Sequence, residues 1–146
     1  MAELRRFYED FFIPSSPPSL HMRLLSRTIG ADRIVDELHV SFKHSQDMPW
    51  ILPGIPATNK EVEVIVVSIV CVRGGKLYHE HVYWDQAAVL VQVGLLDPKL
   101  VPEEMKGKGV SRLPVVGREA ARRILNDGSA GKARNELIPG WYEEGA

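Results

Sequence analysis

The densest run of proton-transferring side chains in this sequence is Gly74-Gly75-Lys76-Leu77-Tyr78-His79-Glu80-His81-Val82-Tyr83-Trp84-Asp85-Gln86. It follows the apolar stretch Val62 to Val72 and leads into Ala87-Ala88-Val89-Leu90-Val91-Gln92-Val93-Gly94. Two such runs around a Gly-Gly pair predict a hairpin. Alternate side chains of a strand share a face, so Leu77, His79, His81, Tyr83 and Asp85 fall on one side and Tyr78, Glu80, Val82, Trp84 and Gln86 on the other. Two histidines, a tyrosine and a carboxylate on one face have the means for general acid-base chemistry near neutral pH. His79 and His81 could also ligate zinc with Glu37 or His39. No cysteine partner or familiar ligand spacing accompanies them, and no metal is expected.

The elements that must position these groups are legible in outline. Ala2 to Phe12 has Leu4, Phe7, Tyr8, Phe11 and Phe12 at helical spacing, and Pro14 is expected to end that helix. After the Ser15-Ser16-Pro17-Pro18 loop, Leu20 to Ile29 and Arg33 to His44 read as a strand pair turning at Gly30-Ala31-Asp32. Asp47 to Lys60 holds Pro49, Pro53, Gly54 and Pro56 and predicts a long irregular connection, of the kind that serves as a lid or the wall of a site. Val62 to Val72, rich in Val and Ile, predicts a central strand. Gln86 to Val93 predicts a helical turn, and Asp85 is equally well placed to cap it. Pro98 to Pro114 is polar and irregular. Gly117 to Leu125 reads as a surface helix with Arg118, Arg122 and Arg123 outward and Ala121, Ile124 and Leu125 inward. The segment 126–146 reads as a flexible tail. Helix, four meandering strands and further helices make an α+β domain spanning 1–146, with its core in 20–117.

Bulk properties exclude some classes of function. At 146 residues and a formal net charge of -1, the chain lacks the basic surface of a nucleic-acid or anionic-membrane binder. The lone Cys71 rules out an internal disulfide framework and suits a reducing compartment. The charged N-terminal segment does not read as a signal peptide, and no apolar run is long enough to span a bilayer. The expectation is a cytoplasmic protein with no nucleic-acid or membrane partner.

The order of several short motifs resembles a known family. Gly54-x-Pro56-x-Thr58 precedes a strand, followed by Gly75-Lys76-Leu77, Tyr83-Trp84-Asp85 and Leu90-x-Gln92-x-Gly94-Leu95. This series, with Asp36-Glu37-Leu38 and Leu113-Pro114-Val115-Val116-Gly117, resembles the SnoaL-like polyketide cyclase branch of the superfamily named for nuclear transport factor 2. The resemblance implies a cone of curved antiparallel sheet closed by helices, a pocket inside, and a homodimer through the outer sheet face. It also implies cofactor-free chemistry in which Asp85, on the family's motif position, removes a proton next to a carbonyl, with His81 and His39 as proposed partners. Family members usually open with a longer helical region than Ala2 to Phe12.

The sequence thus leaves three readings. One is a cyclase- or isomerase-like acid-base enzyme on a small apolar carbonyl compound, catalytic at Asp85, His81 and His39, with Glu37, Trp50, His79, Tyr83 and Trp84 as ligand contacts. The second is a non-catalytic ligand-binding or dimerisation module of the same fold. The third is an accessory protein that completes a partner's fold.

Overall fold

The structure, a computed structural model, describes residues 2–125; the expected flexible tail 126–146 lies outside the described residues. Strands β1 (His21–Ile29), β2 (Arg33–Lys43), β3 (Glu61–Arg73) and β4 (Lys76–Trp84) form one antiparallel sheet in chain order. The β3–β4 turn is made by Gly74 and Gly75 at φ 57° and 70°. Two successive left-handed residues are what a tight hairpin needs, and glycine takes them without strain.

Register fixes the two faces, because residues directly opposite in an antiparallel pair project to the same side. Val40 opposes Val64, Phe42 opposes Val62 and Leu38 opposes Val66, which in turn opposes Trp84. These belong to the inner face. His39 opposes Ile65, Glu37 opposes Val67, and Val67 opposes Tyr83; these lie on the outer face. The register shifts between Leu24 and Ser26 in β1, and between Cys71 and Val72 where β3 meets β4. Such bulges bend strands, which suits a curved, open sheet. The second also takes Leu77 out of the simple alternation with His79.

The core lies on the inner face. Val40, Phe42, Val62, Val64 and Val66 pack with Met48, Ile51, Leu52, Val89 and Val93. The Asp47 to Lys60 connection is irregular as expected, but it is more than a wall. Met48, Ile51 and Leu52 in it are fully buried, each a contribution of about 1.5–3 kcal/mol from burial. The buried His44 ties its two ends: the His44 N–H donates to the Lys60 carbonyl, the Asn59 N–H donates to the His44 carbonyl (both 2.8 Å), and the Thr58 N–H donates to His44 Nδ1 (3.2 Å).

The N-terminal helix runs from Ala2 past Pro14 to Ser15, further than proline was expected to allow. Over Phe7–Phe12 it is wound as a π-helix, and the Ile13 N–H reaches back to the Tyr8 carbonyl. Pro14, with no N–H to donate, is accommodated in the looser last turns. At the other end of the chain, Glu119–Leu125 packs on the outer face of β3. Ala121 is buried there, whereas Ile124 is 43% exposed, against the inward position expected of it.

Helix Gln86–Gln92 continues where β4 stops. Gln92 completes the sheet in place of a strand. Its Oε1 accepts from the Glu63 N–H (2.8 Å), and its Nε2 donates to the Glu63 carbonyl (2.9 Å) and to the Ala88 carbonyl (3.0 Å). Among the described residues, no helix is long and apolar enough to cross a membrane.

Candidate functional site on the inner face

The sheet divides the residues that the sequence singled out. His39, Glu37, His79, His81 and Tyr83 oppose the odd-numbered β3 residues, so all five lie on the outer face. Trp84, opposite Val66, lies on the inner face, and Trp50 packs against the core there. The Trp50 and Trp84 rings meet edge to face at 6.2 Å, and Phe12 of the N-terminal helix packs on Trp50 at 5.2 Å.

Asp85 is exposed at the N-terminus of the Gln86–Gln92 helix, where its Oδ1 accepts from the Ala88 N–H at 3.1 Å. This satisfies one of the N–H groups left unpaired at a helix start. Asp85 also borders a cleft of about 100 Å³ against Ile65, Ala121 and Ile124. That volume is well below the several hundred Å³ of typical ligand pockets. The enclosed pocket that the resemblance implies around Asp85 is not the surrounding the structure gives it.

The histidines are held in separate arrangements. His39, 7% exposed, lies 3.4 Å from Glu63 Oε2, and Arg122 forms a two-pronged pair with the same carboxylate (2.7–3.2 Å). The hydrogen bond and charge of Arg122 pull the Glu63 carboxyl below its ordinary value, with His39 adding to this and burial opposing it. His79 and His81 stack with ring centres 4.9 Å apart. Desolvation, then the cationic Arg33 and the His81 neighbour, hold the His79 pKa down. No group of three or more metal-ligating side chains occurs among the described residues.

The inner face carries a polar row that crosses all four strands. Arg27 of β1 opposes Asp36 of β2 and binds it through two hydrogen bonds (2.7 and 2.8 Å). Asp36 opposes Ser68 of β3, whose hydroxyl donates to Glu80 Oε1 of β4 at 2.6 Å. The other oxygen, Glu80 Oε2, accepts from the Tyr8 hydroxyl of the N-terminal helix. Burial, and then the bond to Glu80, push the Tyr8 pKa far above that of a free phenol, so Tyr8 stays protonated and donating. Arg27 holds the Asp36 carboxyl below its usual range. The same face carries exposed apolar side chains: Val82 of β4, opposite Ser68, and further along β1 Leu24 and Met22, opposite Leu38 and Val40.

Tyr8, Asp36, Ser68 and Glu80 were not among the site residues expected from the sequence, although Asp36 stood in a family-like motif and alternation placed Glu80 beside Val82 and Trp84. That placement was the available signal. A second cleft, of about 270 Å³, lies near the β2–β3 end, lined by Ser41, Phe42, Lys43, Glu61, Val62 and Glu63 among others.

No protein-family model and no curated protein matches this chain. Among solved structures it is similar to a candidate SnoaL-like polyketide cyclase from Jannaschia sp. CCS1. That match has 16% identity and a TM-score of 0.52, over 65% of this chain and 62% of that one. It is also similar to TsrD from Streptomyces laurentii (20% identity, TM-score 0.46, 65% and 63% of the two chains). A third is AclR, a candidate hydroxylase from Streptomyces galilaeus (21%, 0.49, 66% of each). In all three the match spans less than two thirds of the other chain. The protein has the SnoaL-like fold, an α+β cone of the nuclear transport factor 2 type, as its four-stranded meander and flanking helices indicate.

Proposed function

We propose that this protein binds a small, largely apolar compound on the inner face of its sheet, with Glu80 as the polar anchor. The observation that carries the reading is the Arg27–Asp36–Ser68–Glu80–Tyr8 row, with exposed Val82 beside it and exposed Leu24 and Met22 further along the same face. An apolar face with a few convergent polar groups, one of them a fixed carboxylate, is the usual make-up of a ligand site.

Any proton transfer belongs to Glu80 in this reading. Its two oxygens are oriented by Ser68 and Tyr8, and a carboxylate has acceptor directions beyond those two bonds. Asp85, capping a helix in solvent, favours a ligand-binding module over a catalyst built on Asp85, His81 and His39. The same reading takes the protein to be a cytoplasmic homodimer joined through the outer face, where Val35, Val67, Ile69 and Tyr83 lie; sedimentation of the full chain tests the dimer.

The binding proposal is tested by thermal-shift screening of small apolar compounds against three proteins. Val82→Arg places a charge beside Ser68 on the inner face, and Ile124→Arg places one on the helix that packs on the outer face. Both positions are already exposed, at 37% and 43%, so neither change should unfold the chain. Stabilisation by hits is expected to vanish in the first variant and persist in the second. The reverse pattern overturns the proposal.

A further inference from the structure

We infer that the compound held on the inner face carries a protonated amine that docks on Glu80, an inference that rests on the reading of this face as a ligand site. The argument is a count of donors and acceptors. The Ser68 hydroxyl donates to Glu80 Oε1 at 2.6 Å, and the Tyr8 hydroxyl donates to Glu80 Oε2. Each hydroxyl has a single hydrogen, so neither is left for a ligand carbonyl. The Arg27 guanidinium spends two of its five N–H groups on Asp36 and keeps the rest at the β1 edge, with β2 and β3 between it and Glu80 on β4. The Trp84 indole N–H donates to Gln86 at 2.6 Å, and the Trp50 indole N–H, unpartnered, is enclosed away from solvent. At Glu80 itself the row therefore offers acceptors and withholds donors. A ketone placed there would set its oxygen against a carboxylate with nothing to receive it.

Charge points the same way. Arg27, Asp36 and Glu80 leave the row with one net negative charge, and among the described residues no cation pairs with Glu80. A half-buried carboxylate without a counter-ion gains most from a charged donor, because charge-assisted hydrogen bonds are the strong ones and low local polarity strengthens them. The Tyr8 ring, packed against Phe12 at 5.8 Å, brings an aromatic surface to the same place, and a cation is favoured against such faces. The ligand so defined has an apolar body for Val82 and the Tyr8 ring and an ammonium head for Glu80.

Calorimetric titration of the full chain with four probes on one ring system tests this: 1-naphthylmethylamine, 1-naphthylmethanol, 1-acetylnaphthalene and 1-naphthylacetic acid. The amine is expected to bind about tenfold more tightly than the alcohol, with the ketone weaker still and the acid weakest. In Glu80→Gln the amine should fall to the level of the alcohol. If the ketone or the acid binds as tightly as the amine, the amine inference falls while the ligand site stands. If none of the four binds, the reading of the inner face falls, and the amine with it. Should Glu80→Gln not fold, the ranking in the unaltered protein decides alone.

Discussion

The Tyr8 hydroxyl donates to the Glu80 carboxylate, joining the N-terminal helix to the last strand of the sheet across a separation of 72 positions. Helix docking and site geometry are thereby one interaction. If the helix lifts, Glu80 loses one of its two orienting donors. If Glu80 is changed, the helix keeps its aromatic contacts, chiefly Phe12 on Trp50, and the Gln46 side-chain bond to the Pro14 carbonyl.

Removal of that hydroxyl gives the first prediction. Tyr8→Phe should cost about 1–2 kcal/mol in urea unfolding, and the helix should be cut sooner in limited proteolysis. Because the Tyr8 pKa is raised in the folded state, its stabilisation is present below pH 10, the free value, and is lost as the unfolded chain ionises above that. Absorbance titration at 295 nm should therefore show a late-ionising step that is absent in Tyr8→Phe. The same late step in both proteins, or in neither, would contradict the contact.

Asp85 is predicted to serve stability. Asp85→Ala should lose about 1 kcal/mol, whereas Asp85→Asn, an equally good cap, should lose little. Neither should weaken ligand binding at Glu80. Loss of binding or turnover in Asp85→Asn, with the fold intact, would restore Asp85 as a functional carboxylate.

His44 makes the connection over the core sensitive to acid. Burial lowers its pKa, with nearby Asp47 opposing the shift, so the folded state holds it neutral. The unfolded chain gains a proton as pH falls below 6.5, and the folded chain resists. Stability from His44 is thus present above that value and declines below it. His79, also lowered, adds in the same direction. Melting temperature should fall between pH 7 and pH 5, and less steeply in His44→Asn, whose carboxamide can still accept from Thr58. Equal slopes in the two proteins would remove His44 from the account.

Gln92 stands in for the missing stretch of a neighbouring strand. Gln92→Leu strands the N–H and carbonyl of Glu63 and should cost about 1–3 kcal/mol. Hydrogen exchange should locate the change at Glu63, whose amide would lose protection while that of Ile69, paired within the sheet, keeps it.

Much of the fold was legible. The strand boundaries, the Gly74-Gly75 turn and the Gln86 helix follow from periodicity and turn chemistry, and the motif order pointed to the SnoaL-like fold. The site was less so, and β3 shows why. Val62, Val64, Val66, Ser68 and Val70 alternate with Glu63, Ile65, Val67, Ile69 and Cys71, two faces of similar apolarity. Alternation groups residues by face but does not say which face is inside. That choice is made by Met48, Ile51 and Leu52, whose burial inside a proline-rich connection leaves no periodic trace. The density of His79, His81, Tyr83 and Asp85 then drew attention to the outward side, while Glu80 received its partners from Ser68 and from distant Tyr8.

The most direct test of the central claim is a methyl-resolved NMR titration of the full chain with the strongest thermal-shift hit. Leu24, Val70 and Val82 report the inner face; Ile65, Val67 and Ile69 report the outer face. Shifts confined to Leu24, Val70 and Val82 are the predicted result. Shifts at Ile65, Val67 and Ile69 with the inner methyls unmoved would contradict it and move the site to the face of His81 and Tyr83.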